Sequence, residues 1–128
     1  MNHLLLVMLG GGIGAGLRHL VSLGTLRAFG PGFPVGTLSV NIIGSLVMGL
    51  FIGWLVRHEG AGMQSLLYFV ATGILGGFTT FSAFSLDTAV LWERGDTMLA
   101  MIYIAASVIL SLVAVFAGLF LMRSLGSA

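Results

Sequence analysis

The segment Gly73-Ile74-Leu75-Gly76-Gly77-Phe78-Thr79-Thr80-Phe81-Ser82-Ala83-Phe84-Ser85-Leu86-Asp87 concentrates unusual chemistry in one place. Its glycines are followed by the hydroxyls of Thr79, Thr80, Ser82 and Ser85, all inside an apolar run from about Leu66 to Trp92. About 20 apolar residues suffice to cross the ~30 Å hydrocarbon core of a bilayer. Adjacent Gly76-Gly77 lowers helix propensity where a spanning helix should be most regular. Broken backbone at membrane depth survives where it is buried in protein or lines a polar cavity. The segment therefore reads as a site.

Two polar stripes accompany it. Thr37, Asn41 and Ser45 are spaced four apart, as are Tyr103, Ser107 and Ser111, so each set shares one helix face. An unpaired polar group in hydrocarbon costs ~2–7 kcal/mol. Interhelical hydrogen bonds, worth ~0.6–2 kcal/mol each, account for a single stripe. Several stripes beside a broken helix read better as a polar pathway. Its amide and hydroxyl groups can all donate hydrogen bonds, and donors suit an anion. Phe78, Phe81 and Phe84 recur at i, i+3 and i+6, which places them on one helical face. Such a triplet alone signifies packing, but an aromatic ring has a positive edge that can solvate a small anion. Beside Asn41 and the hydroxyls, the phenyl rings read as pore lining. Asp87, toward one end of its span, is the one carboxylate inside the apolar runs. A proton-coupled exporter needs an acid deeper than that.

The elements that must position these residues are transmembrane helices. Of 128 residues, 58% are hydrophobic and only nine are Asp, Glu, Lys or Arg, a balance that matches membrane spans. The predicted spans are about 4–23, 35–56, 66–92 and 97–122, forming a single four-helix transmembrane domain over 1–128 with a break in the third span. Gly10-xxx-Gly14 and Gly12-xxx-Gly16 in the first span allow close helix approach. Gly24 to Pro34, with Arg27 and both prolines, reads as a loop, and Glu93-Arg94-Gly95-Asp96 as a tight turn that makes spans three and four antiparallel neighbours. The N-terminus shows neither a basic n-region nor a small-residue cleavage site, so the first apolar run is expected to be a retained span.

Several function classes are disfavoured. There is no cysteine, and His3, His19 and His58 have no ligand spacing. No paired carboxylates, Ser-His-acid set or phosphate loop marks an enzyme, and Gly10 to Gly16 do not follow a strand. A net charge of +1 gives no nucleic-acid footprint. Arg57 and Arg123 fall on one membrane side, Arg27 and Arg94 on the other, with Arg18 a turn or two inside. That near-balance gives almost no positive-inside bias. A chain without orientation preference inserts both ways, which favours an antiparallel two-fold homodimer.

Gly10–His19 (GGGIGAGLRH), Gly36–Gly49 (GTLSVNIIGSLVMG) and Gly73–Asp87, in that order in a four-span chain, resemble the Fluc/CrcB family of bacterial fluoride channels. The likeness covers essentially the whole chain. It implies an all-α, antiparallel dual-topology homodimer in the bacterial inner membrane, with two fluoride pores and a structural sodium ion, not transported, on the two-fold axis. It further implies passive export of fluoride, lowering its concentration and toxicity inside the cell. The family's pore asparagine falls on Asn41, and its ring-edge phenylalanines on Phe81 and Phe84. The hydroxyls of its path fall on Thr37, Tyr103, Ser107 and Ser111. Sodium would be held by the main-chain carbonyls of Gly76 and Thr79 from both subunits. Arg18 becomes a vestibule or interface charge, and Asp87, where the family often has Glu, an anchor near the pore mouth. Phe78 sits at a variable position and reads as packing, and Ala83 replaces a commoner Thr. The rival readings are a small dual-topology exporter and a non-transporting membrane assembly protein.

Overall fold

The computed structural model describes residues 2–127, and among them every regular element is helical. Helix α1 is Asn2–Phe29 and α2 is Val35–Leu55. The third span is composite. It runs through α3 (Met63–Leu66), a π-helical stretch Leu67–Leu75, α4 (Gly76–Phe78) and, after a break, α5 (Phe81–Glu93). Helix α6 is Thr97–Ser127. Four segments are long and apolar enough to cross a membrane: His3–Phe29, Val35–Leu55, Met63–Glu93 and Thr97–Gly126. With so much apolar surface on α1 and α6 facing outward, the chain is a multi-pass membrane protein.

Three boundaries differ from the predicted 4–23, 66–92 and 97–122. The first span extends to Phe29, because Leu23, Leu26 and Ala28 are good helix formers that outweigh Gly24. The helix stops where Gly30 takes φ 77° and its N–H closes on the Leu26 carbonyl at 2.8 Å, a glycine C-cap. Only Gly30–Pro34 forms the loop. The third span is longer by a few residues at its start, and the fourth continues through Arg123 to Ser127. The turn after α5 forms as expected, with Gly95 at φ 92° and Arg94 paired to Asp96 at 2.8 Å.

Helix α1 packs mainly on the Leu67–Phe78 half of the third span, and α2 mainly on α6. Both contacts depend on missing side chains. A Cβ at Gly10 would stand 2.5 Å from the Phe69 carbonyl oxygen and 3.0 Å from the Gly73 Cα, and one at Gly14 would meet the Ile74 carbonyl. Across the other interface a Cβ at Gly118 would lie 2.6 Å from the Leu46 carbonyl oxygen. Gly12 and Gly16 meet nothing within the chain, so only the first of the two small-residue spacings of α1 is used in its own fold. The buried cluster is small, consisting of Phe84, Leu91, Ala100 and Tyr103 with Phe33 and Leu38 against it. It lies between α5, α6 and the start of α2.

Candidate functional site

The third span breaks at Thr79 and Thr80, not at Gly76-Gly77. Gly76 is helical (φ −63°, ψ −37°), whereas Thr79 (−87°, 159°) and Thr80 (−155°, 118°) are extended. The glycines are needed instead for close approach, since a Cβ on Gly77 would collide with the Gly11 carbonyl. β-branched residues accept extended backbone readily, and these two close the ends they create. The Thr79 hydroxyl donates to the Leu75 carbonyl at 3.0 Å. The Thr80 hydroxyl accepts from the Ala83 N–H at 3.1 Å and so caps α5.

Asn41 completes the break from across the bundle. Its Nδ2 donates to the Thr80 carbonyl at 3.1 Å and its Oδ1 accepts the Thr80 N–H at 2.8 Å. The amide thus replaces the two helical partners that Thr80 lost, which a low-dielectric interior requires. An asparagine amide carries two donor hydrogens, so one remains for the cavity that Asn41 also lines. This dual role could not be read from spacing, because the partner lies 39 positions away. The same exchange takes the Thr80 N–H that would close on the Gly76 carbonyl in a continuous helix, leaving that carbonyl without its helical donor. Gly76 is exposed on the flank of the chain. Arg18 donates through Nε to the next carbonyl, Gly77, at 3.1 Å. That puts a positive charge where the broken helix presents the negative end of its dipole.

Two cavities flank this region. The larger, about 430 Å3, is lined by Asn41, Ser45, Thr79, Thr80, Phe81, Phe84, Ser107 and Ser111 among apolar neighbours. The smaller, about 210 Å3, holds Thr37 and Asp87 with Ser22, Thr25 and the Gly30–Pro34 loop. Tyr103 links their linings. It is fully buried, its ring 5.3 Å from that of Phe84 on one side, its hydroxyl donating to Asp87 Oδ2 at 3.0 Å on the other. The expected pore residues are therefore brought together in two groups joined through one tyrosine. Asp87 lines the smaller cavity and accepts the hydrogen bond of that phenol. Ser45 and Thr80 are lining residues outside the expected set, although Ser45 belongs to the Asn41 stripe.

The phenylalanines separate. Phe78 precedes the break and packs on Gly44, so it shares no helix face with the other two. This agrees with its packing assignment and corrects the single-face geometry drawn from i, i+3, i+6 spacing. Phe84 is 9% exposed and Phe81 is 77% exposed, with their ring centroids 5.4 Å apart. Phe84 belongs to this chain's own interior, while Phe81 projects from the rim of the larger cavity.

The hydroxyls also differ in what they bond. Thr25, Thr79, Ser85 and Thr88 each donate to the carbonyl four residues earlier, the usual fate of a hydroxyl in an apolar helix. Ser107 and Ser111 do not. Their Oγ atoms are buried and lack any partner, on the wall of the larger cavity. Buried hydroxyls left open in this way have donors to give to something that enters.

A family model described as CrcB-like protein, Camphor Resistance (CrcB), matches residues 5–119. The chain is 60% identical over 125 residues to a protein of Mesorhizobium japonicum named fluoride-specific ion channel FluC, covering 98% of this chain and 99% of that one. Proteins of the same name from Sphingopyxis alaskensis and Rhizobium meliloti are 54% and 52% identical over 125 residues, each alignment again covering 98% of this chain, with 98% and 99% of theirs.

Proposed function

The chain belongs to the CrcB-like family, and we propose from this membership and the cavity chemistry that it is a fluoride-selective ion channel, not an enzyme. The observation that carries the reading is the pair of buried, unpartnered hydroxyls of Ser107 and Ser111 on helix residues that line one cavity together with Asn41, Phe81 and Phe84. Moving a small anion unaided into an apolar medium costs on the order of tens of kcal/mol. Here the two hydroxyls, the spare amide hydrogen of Asn41 and the phenyl edges stand in for water. No Arg or Lys lines the cavity, so nothing traps the ion by full charge and it can leave again. Transport is passive, down the fluoride gradient, and empties a cell in which hydrofluoric acid has entered and ionised.

The working unit in this reading is an antiparallel homodimer with two pores. Support comes from the near-balanced arginines, from Phe81 projecting beyond its own bundle, and from the bare faces of Gly12, Gly16 and Gly76. The Gly76 carbonyl, whose α-helical donor Thr80 pairs with Asn41 instead, and the carbonyl of extended Thr79 suit a hard monovalent cation, which takes oxygen ligands. A sodium ion held there by both copies would fasten the two broken spans together and supply a fixed positive charge. Replacing sodium by N-methylglucamine is expected to shift the purified protein from dimer toward monomer on gel filtration. A dimer indifferent to sodium would remove the ion from the scheme.

The central test is fluoride efflux from liposomes containing the purified protein, followed with a fluoride electrode. Fluoride is expected to leave rapidly, with chloride retained. A hydrogen bond to a charged group contributes ~1.5–3 kcal/mol, and each ~1.4 kcal/mol is tenfold in rate. The double variant Ser107→Ala/Ser111→Ala is therefore expected to slow fluoride efflux by at least about tenfold. Thr88→Ala removes a hydroxyl already committed to the Phe84 carbonyl and absent from the cavity lining, so it is expected to leave the rate near that of the parent. Equal rates for the double variant and the parent would move the ion path elsewhere.

A further inference from the structure

Gly30, Pro31, Phe33 and Pro34 line the smaller cavity, and two contacts from outside the Gly30–Pro34 loop fix its position. Arg94, in the turn after α5, donates from Nη2 to the Gly32 carbonyl at 2.8 Å, while its Nε donates to Asp96 Oδ2 at 2.9 Å. The neighbouring Phe33 packs against the buried cluster and meets the Tyr103 ring edge-on, with centroids 5.5 Å apart and planes at 85°. Tyr103 is thus held from three directions, by Phe84, by the Asp87 carboxylate and by Phe33.

Because Tyr103 touches Phe84 of the larger cavity's lining and Asp87 of the smaller's, an ion passing from one to the other meets its ring and its hydroxyl. The Tyr103 ring is packed by buried Phe84 and by Phe33 edge-on, and both contacts resist its displacement. We infer that Phe33 is a positioning residue that holds Tyr103 in this arrangement, and that the Arg94–Gly32 bond holds Phe33 there. The loop between the first two spans is then a strap, and the turn between the last two is its fastening. Both lie on the same membrane side, so the strap acts at one mouth of each path. This inference rests on the channel reading given above.

An edge-to-face aromatic pair contributes enough to alter a barrier about two- to twelve-fold in rate. Phe33→Ala is expected to speed fluoride efflux from liposomes by that factor, and Arg94→Ala by a smaller one, with chloride still retained because the Ser107 and Ser111 wall is intact. Since both act through one strap, the double variant is expected to run no faster than Phe33→Ala alone. Arg94 is at the surface, so its variant should fold normally. Phe33→Leu, which keeps bulk but loses the ring edge, serves should Phe33→Ala not fold. Amide exchange at Gly30, Gly32 and Phe33 is expected to quicken in Arg94→Ala. Unchanged or slower efflux in the variants, or effects that multiply in the double variant, would overturn the inference while leaving the channel reading in place. Absence of fluoride flux in the parent would overturn both.

Discussion

Asn41→Asp is expected to lower fluoride efflux below detection, and Asn41→Ala to lower it severely but less. The amide serves the broken span through one accepted and one donated hydrogen bond with Thr80. Aspartate keeps the first and loses the second, so the Thr80 carbonyl is left facing a carboxylate. Alanine loses both. An unsatisfied buried group costs ~1–3 kcal/mol, which is what alanine brings to the break. Aspartate is no gentler, because a buried carboxylate without a charged partner costs more than an unpaired neutral group. Both variants should therefore melt below the parent. Flux separates them if an anion passes at this position. A fixed negative charge ~4 Å from the ion, at an effective dielectric of ~20, opposes it by ~4 kcal/mol, or about a thousandfold in rate. An aspartate variant conducting at least as fast as the alanine one would reduce Asn41 to a strut for the break and take it out of the ion path.

The same residue shows where sequence reading reaches its limit. Span number, helical class and the stripes on α2 and α6 follow from local composition and a 3.6-residue period, which act over neighbours in the chain. The break was legible as a fact but not in its position. Gly76-Gly77 carries the obvious propensity penalty of ~1 kcal/mol per glycine, yet the penalty is outweighed by packing on Gly11, and the extended residues are the threonines beside it. What places the break there is a partner 39 residues away, which no local pattern records. Phe33 is a second case. In a Gly/Pro loop it carries no periodic signal, and its importance appears only once α6 brings Tyr103 beneath it. The family resemblance reached Asn41, Phe84, Ser107 and Ser111 by position. The geometry adds that the hydroxyls are unpartnered and that Phe81 points away from its own core.

Gly14→Ala is expected to be the most damaging single methyl in the chain. Its Cβ would fall on the Ile74 carbonyl oxygen, with the Phe78 backbone nitrogen at 2.8 Å. Both obstacles are main chain, so no side-chain rotation relieves them and α1 must separate from the third span. Overpacking of this kind costs ~1–3 kcal/mol, occasionally more. The damage should not remain local, because the residues displaced lead directly into Thr79 and Thr80 and so into their pairing with Asn41. Low yield, a lowered melting temperature and loss of fluoride flux are expected together. Gly24→Ala provides the contrast on the same helix. A Cβ there meets nothing within 4 Å, and replacing a helical glycine by alanine favours the helix by up to ~1 kcal/mol. It should match or exceed the parent in melting temperature. One substitution with opposite signs ten residues apart cannot come from helix propensity, which favours alanine at both. A Gly14→Ala protein as stable as its parent would therefore mean that α1 and the broken span do not meet backbone to backbone, and the support beneath the pathway would have to be sought in another contact.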